Sequence, residues 1–318
     1  METLHQRSLV WDNHACMPLR PDASFLPQLA RLRAAGIDMV VLNVMCDNLV
    51  TWDEAVRILS FMRHWILARP EEYVLAGAPG DIELARSAGK TAVAFDIEGM
   101  MGLGGQVSMV RTYYDLGVRW MLVAYNRNNE AGGGCMDADT GLTEFGRSVI
   151  REMESVGMAL CCSHTGERTC MDVFEWSNNP VMLTHSNPLA MVDHPRCVTD
   201  EVMKACAATG GTVGVTGFGT FLQGGDTSAQ NYFRHIDYAV SLVGAEHVAL
   251  ASDYVFDADE LAAFLANPLL GAAGNPSMFT PEQFPELTDV MLQHGYSETA
   301  VRAILGENLL RLARQIWK

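Results

Sequence analysis

Several features that would place this chain of 318 residues in a common functional class are missing. Lysine and arginine together number 22 against 38 aspartates and glutamates, which gives a net charge of −16 at pH 7. Binding to nucleic acid requires a basic face for the phosphates, so this charge argues against a nucleic-acid partner. No run of about 18 apolar residues occurs, so we expect no membrane-spanning helix and no membrane partner.

Signals for secretion and for two large enzyme classes are also missing. The first residues, METLHQRSLVWD, lack the basic region and long apolar segment of a secretion signal. The eight cysteines lie mostly in apolar strand or helix patterns, so we expect reduced thiols in a cytoplasmic protein. The glycines at 132–134 are not set in a GxxxxGK phosphate loop, and no GxSxG nucleophile motif occurs.

What the sequence does contain is a series of short apolar segments, bounded by turn residues, that predict eight β-strands. The predicted strands are 9–13, 38–44, 91–97, 120–125, 159–163, 181–184, 212–216 and 248–252. Most of them are apolar throughout, which is typical of parallel strands that are covered on both faces.

Helix signals fill the segments between these strands. Segment 143–156 is an example, with Thr143 as its predicted N-cap and Gly146 and Gly157 marking its ends. Eight successive β-then-α units predict an α/β fold, a closed (β/α)8 barrel of the TIM type, rather than a doubly wound sheet, which usually has fewer strands. We expect residues 1–318 to form one barrel domain with further helices at the C-terminal end.

Polar side chains that can bind metal or substrate collect at the predicted carboxyl ends of the strands. In a barrel these ends converge on one face, which is where active sites lie. Histidine and carboxylate gathered there suit zinc or a similar divalent ion. The residues concerned are His14, Cys16, Cys46, Asp47, Glu98, Tyr125, Asn126, His164, His185 and Asp253.

Each of these residues also has a purely structural interpretation. A single histidine at a strand end is more often a hydrogen-bonded structural residue than a ligand, but three histidines together with acids in equivalent positions favour a metal site. Glu98 directly follows an apolar strand, where a carboxylate is costly to bury unless it is paired or bound to metal. Asp96 could equally support a ligand or the fold, and Arg196 could lie at the surface.

The chain resembles the membrane (renal) dipeptidase family, peptidase family M19, over nearly its whole length. The resemblance is strongest in GLTEFGRSVIREMESVGMALCCSHTG, which begins at Gly141 and ends just after His164. It continues through PVMLTHS, Arg196 at the family's spacing, VALASDYVFD and the closing ILGENLLRLA. The ordered combination of these segments makes the resemblance specific.

The resemblance implies a distorted (β/α)8 barrel with two zinc ions at the carboxyl ends of its strands. It implies that Glu98 bridges the two ions, that His14 binds the first, and that His164 and His185 bind the second. Asp253 would handle the proton of the attacking water, and Arg196 would hold the substrate carboxylate. A homodimer is a further expectation from the family.

Two positions depart from the family's pattern. The first-strand motif Asp-x-His-x-Asp here reads Asp12, Asn13, His14, Ala15, Cys16, so a thiol replaces a carboxylate ligand. A thiolate binds zinc only after losing its proton, which leaves open a reshaped first site, one selective for a softer ion, or an empty one.

The second departure is Tyr125, which replaces a substrate-contacting histidine of the fourth predicted strand and can still donate a hydrogen bond to an oxyanion. Together with the neighbouring Asn126, it is a predicted substrate-binding residue.

These observations predict a zinc-dependent hydrolase that uses metal-activated water to cleave a dipeptide or a similar small amide with a free carboxylate. Asp253 and Glu98 are its predicted catalytic residues. Two alternatives stay open on the sequence: a single-metal amidohydrolase or lyase acting on another small carboxylate, and a barrel without catalytic activity.

Overall fold

The computed structural model describes residues 2–267 and 276–318, which form ten strands and thirteen α-helices. The strands are β1 Trp11–Cys16, β2 Met39–Cys46, β3 Tyr73–Leu75, β4 Thr91–Glu98, β5 Val118–Leu122, β6 Ala159–Cys161, β7 Val181–Met182, β8 Val213–Thr216, β9 Val248–Ala251 and β10 Tyr254–Val255. The helices are α1 Leu4–Arg7, α2 Leu29–Ala34, α3 Trp52–Leu67, α4 Pro79–Ser87, α5 Met109–Asp115, α6 Glu144–Val156, α7 Glu167–Trp176, α8 Asp200–Ala208, α9 Ala229–Val243, α10 Ala258–Ala266, α11 Phe284–Gln293, α12 Glu298–Arg302 and α13 Asn308–Ile316.

The strands are parallel and follow one another around a closed ring. Strands β1, β2, β4, β5, β6 and β7 pair in that order, and β8 pairs with β9. A parallel bridge from Leu183 to Val213 joins β7 to β8. The ring closes between β9 and β1, because the carboxylate of Asp12 accepts hydrogen bonds from the Ser252 amide (2.7 Å) and hydroxyl (2.5 Å). The predicted (β/α)8 barrel is therefore confirmed, and the doubly wound sheet is wrong.

The barrel is distorted at β4, which pairs with three neighbours. Its first residues pair with the short strand β3 as well as with β2, and β5 takes over the outer position from Phe95 onward. The prediction missed β3, since three residues are too few to show a period. It also missed β10, which pairs with β1 at Ala15 and Cys16.

Side-chain alternation along β4 explains how acids come to lie inside the barrel. Val93, Phe95 and Ile97 belong to the large apolar cluster that fills the space between sheet and helices. Ala92 and Ala94 belong to the second apolar cluster, inside the barrel. Because successive strand residues point to opposite faces, Asp96 and Glu98 continue the inner row.

Helix α13 covers the opposite end of the barrel from these acids. Its buried residues Leu309, Leu312 and Ile316 join Trp11 and Trp120 in the inner apolar cluster. The acids Asp96 and Glu98 therefore lie toward the other end, where the strands finish.

Helix α6 shows how local signals set the boundaries. The Thr143 side chain accepts a hydrogen bond from the Gly146 amide at 3.1 Å, as an N-cap does, and Gly157 ends the helix in a left-handed conformation with φ of 90°. Gly146 lies inside the helix rather than at its end, so that detail of the prediction is wrong. Along the residues that the structure describes, no helix is both long and apolar enough to cross a membrane.

Candidate metal centre

The candidate site is built around Glu98, the last residue of β4. The residue is 2% exposed, and its Oε1 lies 3.0 Å from Nε2 of His185 and 3.4 Å from Nε2 of His164. The two imidazole nitrogens are 2.9 Å apart. Although it is surrounded by nitrogen atoms, Oε1 receives no hydrogen bond. A buried carboxylate oxygen without a donor is costly, so this arrangement calls for a cation.

The orientation of the two histidines fits metal binding. Nδ1 of His164 lies 2.7 Å from the amide oxygen of Asn126, and Nδ1 of His185 lies 2.8 Å from the Thr184 hydroxyl. We assign the ring protons to these Nδ1 atoms, which leaves both Nε2 lone pairs facing Glu98. Tetrahedral ligands with bonds of about 2.0–2.1 Å are about 3.3 Å apart, close to the separations seen here. The donor set therefore fits a zinc ion.

His14 lies on the other side of Glu98, and its ring stacks on that of His185 with centroids 4.1 Å apart. Nε2 of His14 lies 3.4 Å from Cys16 Sγ, 3.6 Å from Asp253 Oδ1 and 3.9 Å from Glu98 Oε1. These residues could hold a second cation. On the far side of the ring, Nδ1 lies 3.0 Å from the carboxylate of Asp96.

The electrostatics differ between the two sides of Glu98. Burial holds the pKa of His164 and of His185 well below the usual value, so both are neutral. Burial also opposes protonation of His14, but Asp96 and other neighbouring acidic groups outweigh it and hold the His14 pKa well above the usual value. Burial raises the pKa of Cys16 to about 12.

Burial disfavours the negative charges of Glu98 and Asp253 and raises the pKa of both carboxyl groups. Burial raises the pKa of Glu98 to about 8, with the charges of Asp96 and Asp253 adding to the effect while His14 opposes it. Burial likewise raises the pKa of Asp253. A divalent cation would reverse both shifts, which is a further reason why these residues suit a metal.

Arg196 is a buried cation that reaches the pocket from the loop after β7. It is 3% exposed and donates to the carbonyl of His185 at 2.5 Å and to the Ser186 hydroxyl at 3.2 Å. Its Nε is buried without a partner. Among the described residues no carboxylate forms an ion pair with it, so the guanidinium is available to a negatively charged ligand.

Tyr125 and Asn126 follow β5 and occupy the wall beside the candidate metal ligands. The Tyr125 ring stacks on the His164 ring with centroids 4.2 Å apart, and Tyr125 and Asn126 line one pocket together with Glu98 and Arg196. Since the amide oxygen of Asn126 contacts Nδ1 of His164, Asn126 orients the His164 ring as well as lining the pocket.

Strained backbone is concentrated here. Asn126, His164 and Asp253 have φ angles of 60°, 60° and 55°, a left-handed conformation that side-chain-bearing residues rarely adopt. Only one other non-glycine residue in the described ranges, Asn48, does so. Such strain persists when the surroundings impose it, and it commonly marks functional sites.

The structure brings together all of the predicted site residues. His14, Cys16, Glu98, His164, His185 and Asp253 form the centre, and Tyr125, Asn126 and Arg196 line the adjoining pocket. Some positions differ from the prediction, because β1 extends to Cys16 and β5 ends at Leu122. His14 and Cys16 therefore lie within a strand, and Tyr125 lies in a loop.

Sequence reasoning named Cys46 and Asp47 as strand-end residues without giving them a role, and it missed Asn43. Asn43 donates to Asp96 at 2.8 Å, and Cys46 donates its thiol hydrogen to Oε2 of Glu98 at 3.2 Å. Asp47 accepts a hydrogen bond from the side-chain amide of Asn129. Its carboxylate fits only because residue 99 is glycine, since a Cβ atom there would lie 2.0 Å from it. Cys46 and Asp47 were recognisable as strand-end residues, whereas Asn43 gives no signal within an apolar strand.

Comparison with known proteins agrees with this geometry. The sequence model of the membrane dipeptidase family (peptidase family M19) matches residues 2–318. An uncharacterised protein from the pqqA 5′ region of Klebsiella pneumoniae is 30% identical over 272 residues, which cover 82% of this chain and 95% of that protein. Dipeptidase tcpJ from Claviceps purpurea is 28% identical over 76% of this chain, and the match spans 55% of that protein's length.

Among solved structures, the crystal structure of an amidohydrolase from Pseudomonas aeruginosa is similar with a TM-score of 0.88 and 28% sequence identity. The similarity covers 99% of this chain and 98% of that one. The shared fold thus extends over the whole barrel, including the end that carries the candidate metal centre.

Proposed function

Because the chain belongs to the membrane dipeptidase family, peptidase family M19, we propose that it is a zinc-dependent hydrolase of dipeptides or similar small amides that carry a free carboxylate. In the reaction the amide C–N bond breaks, the oxygen of water adds to the acyl carbon, and the leaving nitrogen gains a proton. The products are a carboxylic acid and an amine.

One observation carries the proposal. Oε1 of Glu98, a buried oxygen without a hydrogen bond, faces the Nε2 atoms of His185 and His164 at 3.0 and 3.4 Å. A zinc ion held there, and a second held by His14, Cys16 and Glu98, would supply Lewis acidity that lowers the pKa of water and polarises the scissile carbonyl.

The neighbouring side chains would bind the substrate and move its protons. Arg196 would hold the substrate carboxylate through paired hydrogen bonds, which a planar guanidinium is suited to donate. Asp253 would accept the proton of the attacking water and return it to the leaving amine. Thr216 donates to Asp253 Oδ2 at 3.0 Å and keeps the other oxygen, Oδ1, toward His14. Tyr125 would donate a hydrogen bond to the oxyanion.

A single-metal amidohydrolase is the second candidate, and Cys16 is the observation that favours it. Burial keeps this thiol protonated, with a pKa of about 12, where a carboxylate would ionise more readily. The position at His14 would then bind metal weakly or stay empty, and one zinc ion would do the chemistry.

Metal analysis combined with a substrate panel tests the proposal. Purified protein would be loaded with zinc, dialysed, and assayed for zinc per chain and for hydrolysis of dipeptides of both chiralities and of N-acylated amino acids. Zinc-dependent hydrolysis that a chelator abolishes supports the proposal, and the number of equivalents separates the two candidates. A zinc-loaded protein that cleaves no member of the panel would sink the assignment and favour a barrel without catalytic activity.

Two further predictions come from the sequence and the family. They are a homodimer, which sedimentation analysis would test, and a cytoplasmic location, which cell fractionation would test.

A further inference from the structure

The pocket beside the metal centre is polar at only one end. Its outer wall consists of hydrocarbon: Leu19, Phe218, Val255, Leu261, Phe264 and Leu265. Phe218, Val255 and Leu261 belong to one buried apolar cluster, against which Leu265 packs. These residues come from the loops after β1 and β8, from β10 and from α10, so four segments of the chain contribute to one apolar surface. We call this set of six residues the apolar wall.

Cys16 links the metal centre to this wall. It is 9% exposed, belongs to the same apolar cluster, and lies with its sulfur 3.4 Å from Nε2 of His14. A carboxylate here would place a charge at the base of the wall, whereas a thiol continues the apolar surface. The thiol that stands in place of the family's carboxylate thus extends the hydrocarbon lining.

Few polar groups of the pocket are available to a substrate. Glu98, His164 and Asp253 belong to the metal centre, Asn126 is bonded to His164, and the amide nitrogen of Asn43 is bonded to Asp96 and to the Met45 carbonyl. The Arg196 guanidinium and the Tyr125 hydroxyl remain. Among the described residues that line the pocket, Glu98 and Asp253 are the only carboxylates, so none is left over to recognise a substrate ammonium group.

From this distribution we infer that the substrate's acyl part is recognised through its hydrocarbon and needs no charged amino group. This inference rests on the proposed function and narrows it to one substrate class. The preferred substrates are amides of a small amino acid whose free carboxylate binds Arg196 and whose acyl group is apolar and packs on the apolar wall. N-acylated amino acids with a medium-length chain and dipeptides with an apolar first residue both belong to this class.

A series of glycine amides tests the inference, because glycine fixes the carboxylate end and carries no chirality. The zinc-loaded protein would be assayed with acetylglycine, butanoylglycine and hexanoylglycine, and with leucylglycine and aspartylglycine. We expect kcat/KM to rise about fourfold per added methylene until the wall is covered. Leucylglycine should exceed aspartylglycine by at least about tenfold.

A substitution in the wall localises the effect. Phe264→Ala should lower the ratio of kcat/KM for hexanoylglycine over acetylglycine by about tenfold, since it removes hydrocarbon that only the longer chain contacts. Leu84→Ala is the matched control, because Leu84 is 63% exposed on α4 and should leave the ratio unchanged. A ratio that does not respond to Phe264→Ala, a flat chain-length series, or a preference for aspartylglycine would overturn the inference.

Failure of the proposed function has a different signature. If no compound is cleaved, calorimetry on the same zinc-loaded protein gives the dissociation constant of each. Affinity that rises with chain length would keep the apolar recognition and reject the hydrolase, whereas flat affinities would reject both.

Discussion

The two sides of Glu98 hold their histidines in opposite charge states. His164 and His185 are neutral, with Nδ1 atoms engaged by an amide oxygen and a hydroxyl. His14 is paired with Asp96, lies beside a protonated Cys16, and has a raised pKa. A metal ion can bind the first pair without displacing a proton, but at His14 and Cys16 it must displace two. We therefore expect one strong and one weak metal position, which we call the His185 position and the His14 position.

Loss of the His185 position should have the largest effect. His185→Asn removes one of the two neutral imidazoles, so tightly bound zinc should be lost and kcat/KM should fall by at least about 100- to 1,000-fold. Zinc per chain after dialysis and steady-state kinetics would measure both. His64→Asn, on the exposed face of α3, is the matched control. A His185→Asn protein that keeps its tightly bound zinc would show that the ranking of the two positions is wrong.

Arg196 belongs to the same side of the centre, since it is bonded to the carbonyl of His185. Arg196→Lys keeps the positive charge but loses the planar pair of donors, so kcat/KM should fall by about 30- to 100-fold with zinc content unchanged. With the wild type, replacing the substrate carboxylate by a carboxamide should lower kcat/KM by the same factor. With Arg196→Lys, the same replacement should lower kcat/KM hardly any further. If both proteins discriminate equally between the two substrates, Arg196 does not hold the carboxylate.

Low pH should also reduce the stability of the fold itself, and part of that effect can be assigned to His235. His235 is buried, and burial lowers its pKa from the ordinary 6.5 to about 4. Its Nε2 accepts from the Gln223 amide at 3.1 Å, while Nδ1 has no partner. Because the folded pKa lies below the unfolded one, stability is complete above pH 6.5 and declines as the pH falls toward 4.

His235→Gln should remove this decline, since the Gln carbonyl can replace Nε2 as the acceptor and does not titrate. The free energy of unfolding should drop by about 2 kcal/mol less between pH 7 and pH 5 in the variant than in the wild type. Urea unfolding at the two pH values measures the difference. Equal pH dependence in both proteins would assign the acid sensitivity to other groups, such as the acids of the candidate metal centre.

Local signals in the sequence were enough to predict most of the barrel. Apolar segments located the main strands. Helix signals between them indicated that the strands are parallel, since each strand is followed by a helix. The boundaries failed where they depend on partners distant in sequence. Strand β1 continues to Cys16 because β10 pairs with Ala15 and Cys16, and the sequence near residue 15 contains no signal for that pairing.

The sequence could predict which residues form the site, but it could not predict their charge states. His14, His164 and His185 look alike as residues that follow apolar segments. Their difference comes from what lies across the barrel, namely Asp96 for one ring and Asn126 or Thr184 for the others. Asp96 and Glu98 could be assigned to the interior from the alternation of β4, but the distance from each acid to each imidazole depends on how the ring of strands closes.

Cys16→Asp should have the smallest effect, and it tests the contrast between the His185 position and the His14 position directly. An aspartate in this place ionises at lower pH than a thiol with a pKa of about 12, so the competing proton at residue 16 would largely disappear. We expect the wild type to bind one zinc ion tightly and a second weakly. The variant should bind the second at least about tenfold more tightly, the size of change that substitutions around a metal commonly produce. Competition with a chromophoric chelator measures both dissociation constants.

Cys16→Ser is the matched control, because it shortens the side chain's reach to the metal without supplying a negative charge. It should leave the second zinc ion weak or weaken it further. Two equally tight zinc ions in the wild type would mean that zinc displaces the protons of His14 and Cys16 at little cost. The contrast between the two sides of Glu98 would then be a property of the metal-free protein alone, and both positions would act together in the bound one.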